Sequence, residues 1–326
     1  MLLVGDIGGT KTDLALFPLN DKLQPQMQAT FQSTRYPSLE AVVQDFLAGY
    51  SYPITKAVFG VAGPVVSGQS QITNLPWLIS EATLQSALNL PLVRLLNDLE
   101  AIAHAIPHLP PDDLAALNTQ AKVSAGQNKA VIAPGTGLGE AILFYHDDTY
   151  YILASEGGHT SFAPANLLEL GLLKHLLSEH HHVSFERVCS GKLGIPNIYT
   201  YLKEIRYAKE SPEIAAAIQQ AADPTPVIVQ AGLQETCELC QATLNTFVNI
   251  LGSEAGNLAL TVMATGGIYL AGGIPPRILP KLKDSTFMTA FINKGRFSHT
   301  LELIPVYVVL NEKPALLGAA YYGLHL

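Results

Sequence analysis

The sequence predicts an α/β fold built twice, as two domains facing a cleft. Three observations lead there. The chain has 326 residues, beyond the roughly 250–300 over which a single core grows. Two glycine-rich turns, Gly8-Gly9-Thr10 and Gly135-Thr136-Gly137, each join a pair of short apolar runs. After each of these hairpins the chain passes through helical patterns and single buried strands.

Taken in order, residues 2–5 form an apolar run ended by Asp6, and residues 13–17 return as a second strand. A third strand fits residues 27–34. Ser38 caps a helix whose apolar residues Leu39, Val42, Val43, Phe46 and Leu47 recur at helical spacing, closed by Gly49. Residues 56–60 and 92–96 read as buried strands, the second running into Asn97-Asp98 and a helix over 99–106. Pro107, Pro110 and Pro111 then break the chain. The predicted domains are 1–107 with 315–326, and 108–314. The second begins as the first does, with strands at 130–133, 141–145 and 150–154. Cys237, Cys240, Leu244, Phe247 and Leu251 line one face of a helix. Strands at 268–271 and 304–310 and a Gly/Ala-rich helix over 315–324 complete the reading.

Hydrophobic residues make up 48% and charged residues 14% of the chain. Globular averages are about 45–50% and about 25%, so the chain is short of charge. Disorder and collagen-like repeats are excluded. Nineteen Lys and Arg against 27 Asp and Glu give a net charge of −8, with no basic run. No nucleic-acid or membrane partner is expected. The start lacks a basic region before Asp6, so no signal peptide is expected. The uncharged stretch 255–276 contains Gly266-Gly267, Gly272-Gly273 and Pro275-Pro276. It reads as helix, turn and strand in preference to a membrane span. Three cysteines form no disulfide framework and suit the cytoplasm.

In such a chain an acid within an apolar or glycine-rich segment calls for a reason. Turns between hairpin strands offer backbone amides to anions. One such turn is better explained by the hairpin itself; two at equivalent places favour phosphate. Asp6, beside the first turn, is a turn cap or a carboxylate that holds Mg²⁺, directly or through water. Asn97 or Asp98 is a helix cap, or Asp98, at a strand's carboxyl end, is a base for a substrate hydroxyl. Glu156-Gly157-Gly158-His159 is a solvent loop or a turn aiming two side chains into one pocket. Glu186 pairs with Arg187, lies on an exposed helix face, or joins that pocket. Gly272-Gly273 is a strand-to-helix turn or lets a nucleotide base approach the backbone.

The order of Asp6-Ile7-Gly8-Gly9-Thr10, Thr73-Asn74-Leu75-Pro76-Trp77, Leu96-Asn97-Asp98, Pro134-Gly135-Thr136-Gly137-Leu138-Gly139, Glu156-Gly157-Gly158-His159, His182-Val183-Ser184-Phe185-Glu186-Arg187-Val188 and Ala271-Gly272-Gly273-Ile274 resembles the bacterial glucokinase family over essentially the whole chain. The resemblance implies a duplicated actin-like (ribonuclease H-like) ATPase fold. It also implies an ATP-dependent glucose 6-kinase of glycolysis, and a homodimer. Asp98 would be the general base. Asn97, Glu156, His159 and Glu186 would hold sugar hydroxyls, with Asn74 in a loop near the sugar. ATP would lie against Gly8, Gly9, Thr10, Lys11, Gly135, Thr136, Gly137, Gly272 and Gly273, with Mg²⁺ near Asp6.

Two rivals share these motifs: a kinase for another hexose or N-acetylhexosamine, and a sugar-sensing regulator without catalysis. The zinc cluster of the related repressor/kinase sugar proteins is missing downstream of His159, and with the first strand starting at Leu2 no DNA-binding segment is expected. Cys237 and Cys240 are assigned to core packing, and His180-His181-His182 to an exposed helix end.

Overall fold

The structure is a computed structural model and describes residues 1–19, 23–50, 52–72, 75–119, 121 and 126–326. The chain divides into two compact units, Met1–Pro110 with Asn311–Leu326, and Pro111–Leu310.

The first unit holds strands β1 (Leu2–Ile7), β2 (Lys11–Phe17), β3 (Met27–Gln32), β4 (Lys56–Val61), β5 (Gln69–Gln71), β6 (Leu78–Ser80) and β7 (Val93–Asn97). Five of them form one sheet in the order β3-β2-β1-β4-β7, and β5 pairs with β6 apart from it. β1, β2 and β3 are antiparallel neighbours, whereas β1, β4 and β7 run parallel. β1 and β4 are apolar runs because the parallel part is covered on both faces. Leu3, Ile7 and Phe59 join a core with Val42, Val43 and Phe46 of the helix Leu39–Phe46. Its cap is Ser38, whose side chain accepts from the Ala41 amide. Leu2 and Val58 meet the C-terminal helix Pro314–Leu324 at Gly323. That helix also packs on the helix Asp98–Ala105, where Gly318 lies directly against the Ala101 carbonyl.

The second unit holds β8 (Leu114–Ala116), β9 (Lys129–Pro134), β10 (Leu138–His146), β11 (Thr149–Ser155), β12 (Ile268–Leu270) and β13 (Val306–Val309), in the order β11-β10-β9-β12-β13-β8. β9, β10 and β11 are antiparallel, and β9, β12 and β13 are parallel. The order and directions β3-β2-β1-β4-β7 therefore recur as β11-β10-β9-β12-β13. The duplication read from two turns extends through each sheet. The long helix Glu238–Val262 supplies much of this unit's core through Leu244, Phe247 and Leu251. It ends at Met263 in the left-handed region (φ 49°), ahead of the turn into β12. No helix among the described residues is long and apolar enough to cross a membrane.

Some elements differ from expectation. The strand expected over 27–34 stops at Gln32, because Ser33–Arg35 turns to bond the first glycine-rich turn. β5, β6 and β8 have three residues each, too short for a period to show, and the helix Glu81–Leu88 buries only Leu84. The histidine run lies beyond the helix Leu167–Leu177, whose end tightens when the Ser178 and Glu179 amides bond carbonyls three residues back. Cys189, Cys237 and Cys240 are all free and buried.

A methyl group at position 318 would overlap the Ala101 carbonyl. Gly318→Ala is therefore expected to cost about 1–3 kcal/mol of stability, read as a lower midpoint of urea unfolding. An unchanged midpoint would show that this helix pair is not tightly seated.

Candidate active site

In the first unit the parallel ladder sets the geometry. Asp6 is level with Gly60, which is level with Leu96, and Ile7 is level with Val61 and Asn97. The carboxyl ends of β1 and β7 thus bring Asp6 and Asp98 to one edge of the sheet. Burial first, then the charges of Asp98 and Asp13, push the Asp6 carboxyl up to about 7, against the pull of Lys11 and Lys313. Among the described residues no cluster of three or more His, Cys, Asp or Glu could hold a metal alone. A crowded carboxylate of this kind suits a hard cation that takes its other ligands from water or phosphate.

Asn97 and Asp98 have different tasks. Asn97 is the helix cap: its side-chain oxygen accepts from the Leu99 amide at 2.9 Å, and Glu100 completes a capping box. Its side-chain amide donates to the Gly63 carbonyl at 3.1 Å. Asp98 Oδ1 also accepts from the Leu99 amide, at 2.9 Å, and its side chain is only partly buried. The cap reading thus holds for Asn97, whose bonds inside the protein limit what it can offer a sugar. Asn74 lies outside the described residues.

The first glycine-rich turn is pinned by Ser33, whose hydroxyl donates to the Gly8 carbonyl at 2.8 Å and whose amide donates to the Thr10 carbonyl at 3.0 Å. The Gly8 amide donates to the Lys11 carbonyl at 3.0 Å, closing the turn. Gly135 does the same in the second unit, donating to the Gly137 carbonyl at 2.9 Å. The amide of the first residue of each turn is therefore spent on the turn itself. Any anion would rest on those that follow. Lys11 is exposed and pairs with Asp13 at 3.3 Å.

In the second unit Glu156, His159 and Glu186 come together. His159 Nε2 lies 3.8 Å from Glu156 Oε2, and His159 Nδ1 lies 3.5 Å from Glu186 Oε2. The turn Gly157–His159 aims the imidazole, held by the Gly157 amide donating to Ser155 Oγ at 3.0 Å and the Thr160 hydroxyl donating to the Gly157 carbonyl at 2.7 Å. Glu186 opens the short helix Glu186–Cys189. Its exposure is 24%, against 58% for His159 and 74% for Glu156, so all three can reach a ligand. A side chain at Gly137 would run into Glu186 Oε1, 2.5 Å from where its Cβ would lie. The acid cluster is thus contiguous with the second glycine-rich turn.

From that turn a cavity of 1070 Å³ opens, lined by Gly135, Thr136, Gly191, Lys192, Gly273 and Arg277 among others. The parallel pairing of β9 with β12 places Gly272 against the Pro134 carbonyl. The cavity, the turn and the three polar side chains form a continuous series within one unit. This is an arrangement for a large ligand with an anionic middle and a hydroxyl-rich partner.

The family model for Glucokinase matches residues 3–325. A glucokinase of Nostoc punctiforme is 41% identical over 335 residues, covering 98% of this chain and 98% of that protein. The chain belongs to the glucokinase family. A crystal structure of a glucokinase from an Antarctic psychrotroph superposes with a TM-score of 0.85 at 34% identity, covering 99% of this chain and 98% of that one. At 18% identity and a TM-score of 0.61, covering 98% of each chain, a ROK family glucokinase from Streptomyces griseus, solved with glucose and AMPPNP, shares the fold. The architecture is that of the actin-like ATPase sugar kinases.

Sequence reasoning passed over other residues of this glucokinase-family site. Ser33 carried no signal. Asp13 did, as an acid inside an apolar strand. It is 2% exposed and bonded by Lys313 Nζ at 2.7 Å and by the Thr30 hydroxyl. Burial raises its carboxyl, but Lys313, Thr30 and the charge of Lys11 outweigh that and hold it below the usual range. A depressed carboxylate stabilises the fold above its unfolded value near pH 4 and loses that contribution as pH falls. Lys313→Met is expected to cost about 1–3 kcal/mol at neutral pH and to move acid unfolding to higher pH. Melting temperatures taken from pH 3 to 7 decide this, and superimposable curves would remove Lys313 from the role.

Proposed function

We propose that this chain phosphorylates the 6-hydroxyl of D-glucose with Mg-ATP, giving glucose 6-phosphate and ADP. The observation that carries the reading is the contact of Glu186 with the Gly135–Gly137 turn. It puts a group suited to a sugar hydroxyl beside one suited to a phosphate. The glucose and AMPPNP of the Streptomyces griseus enzyme support the same pair of substrates.

In this reading Glu156, His159 and Glu186 accept and donate hydrogen bonds to the sugar hydroxyls and fix which oxygen reacts. Asn97 holds the helix end that presents Asp98. Asp98 takes the 6-hydroxyl proton as that oxygen attacks the γ-phosphorus. The bond to the β–γ bridging oxygen breaks and ADP leaves. The amides after Gly8 and Gly135, with Lys11, hold the phosphates, and the base lies in the cavity against Gly272-Gly273. Asp6 would hold Mg²⁺, which neutralises phosphate charge when bound. A cytoplasmic homodimer is the state proposed for the enzyme.

Asp98→Asn keeps the shape but not the proton acceptor. It is expected to lower kcat by about 10²–10⁴-fold while calorimetry still shows glucose binding. Near-normal turnover by that variant would exclude Asp98 as the base. An ADP-release assay across glucose, mannose, fructose and N-acetylglucosamine tests the substrate; a best rate with any but glucose overturns the assignment.

A further inference from the structure

Behind the sugar-binding candidates lies a pair of acids that the transfer step does not use. Glu140 in β10 is 3% exposed, and Glu254 in the helix Glu238–Val262 is 5% exposed. Their carboxyl groups meet. Glu140 Oε1 finds no hydrogen-bond partner of the ordinary kind among the described residues. Two buried carboxylates repel, and a proton shared between them turns the contact into a hydrogen bond. Burial, first of all, raises both carboxyls well above the usual range.

Glu140 touches one of the segments that carry the candidates, and the helix bearing Glu254 packs against the other. A side chain at Gly157 would overlap the Glu140 carboxyl, so the Glu156–His159 turn rests directly on it. Cys189, which ends the helix that Glu186 begins, feels the charges of both acids. The neighbours facing the pair are few. Ser155 stands opposite Glu140 on β11. Asn257 donates to Glu254 Oε2 at 2.8 Å. Lys294 bonds Asn257 Oδ1 at 2.7 Å and Ser253 Oγ at 3.3 Å, and its charge reaches Glu254 and Glu169. Lys294 is the cation whose charge reaches Glu254 among the described residues. It bonds Asn257 and Ser253, so the shared proton supplies the remaining compensation.

We infer that Glu140 and Glu254 are positioning residues for the sugar site: the proton they share seats the Glu156–His159 turn and the Glu186–Cys189 helix together, and its loss loosens the grip on the sugar without altering the transfer step. This rests on the reading of Glu156, His159 and Glu186 as sugar ligands. Two like charges beneath the turn would push it from Glu140, and the imidazole would leave its place between Glu156 and Glu186.

The test is steady-state kinetics of the full chain against pH, with glucose, for the wild type, Glu140→Gln and Glu254→Gln. Each variant keeps a hydrogen-bond donor and removes one charge. In the wild type the KM for glucose is expected to rise several-fold from about pH 7 to about pH 9 while kcat holds; in either variant it stays level. Variant curves rising in parallel with the wild type overturn the inference, as does a fall in kcat with no change in KM. Melting supplies a second readout. A raised carboxyl stabilises fully below its unfolded value and loses that contribution as pH rises through its folded value. The melting temperature of Glu140→Gln relative to the wild type should therefore climb between about pH 5 and pH 8, and a constant difference counts against the pair. A wild type that phosphorylates no hexose defeats the proposed function itself, whereas an active wild type with parallel KM curves defeats the positioning role alone.

Discussion

Parallel strand pairing ties Asp6 to Gly60 and Gly60 to Leu96, and it leaves the ends of β1 and β7 no freedom to slide apart. A shift of one residue would carry Leu3 and Phe59 from the face packed on the helix Leu39–Phe46 to the opposite face, where Leu2 and Val58 fit against Gly323 of the C-terminal helix. Burial therefore fixes the register, and the register brings Asp6 and Asp98 together although repulsion opposes it. The compensation comes from positive groups brought by other elements. Lys11 follows the turn, and Lys313 arrives from just ahead of the C-terminal helix to bond Asp13. That helix closes onto the helix that starts at Asp98 through the small residue Gly318. The last residues of the chain thus act on the charge of the first.

The second unit obeys the same constraint with other residues. Pairing of β9 with β12 brings Gly272 against the backbone that precedes the Gly135 turn. The turn closes on its own first amide, as the Gly8 turn does, although one spans to Lys11 and the other only to Gly137. The likeness lies in the order and direction of strands more than in the shape of the turns. What the turns share chemically is exposed backbone polarity, which needs no lysine or arginine. A chain of net charge −8 can hold an anion this way, since partial charges fixed by the backbone carry no desolvation cost of a buried ammonium.

The acids divide by burial. Glu156 and Glu186, beside His159, keep solvent-facing surface and remain available to hydroxyls. Asp13, Glu140, Glu169 and Glu254 are buried, and each is answered differently. Asp13 stays charged against two lysines. Glu169 accepts from the Ala165 amide and the Asn166 side chain. Glu140 and Glu254 turn to each other.

Much of this was open to inspection in the residues alone. Helical spacing placed the helix after Ser38 and the long helix bearing Leu244 and Phe247, because apolar period reports a buried face directly. The glycine-rich turns and the repeated hairpin showed the duplicated α/β architecture, and the motif order showed the family. The residues could not show that Asn97 is the helix cap and Asp98 the first helical residue, since both types suit either task and only the capping box with Glu100 and the bond to Gly63 separate them. Nor could they pair Asp13 with Lys313, 300 positions apart in sequence, or Glu140 with Glu254. Local pattern records which face of an element is buried. The partner of a buried charge is chosen by packing between elements distant in the chain, and no local period encodes it.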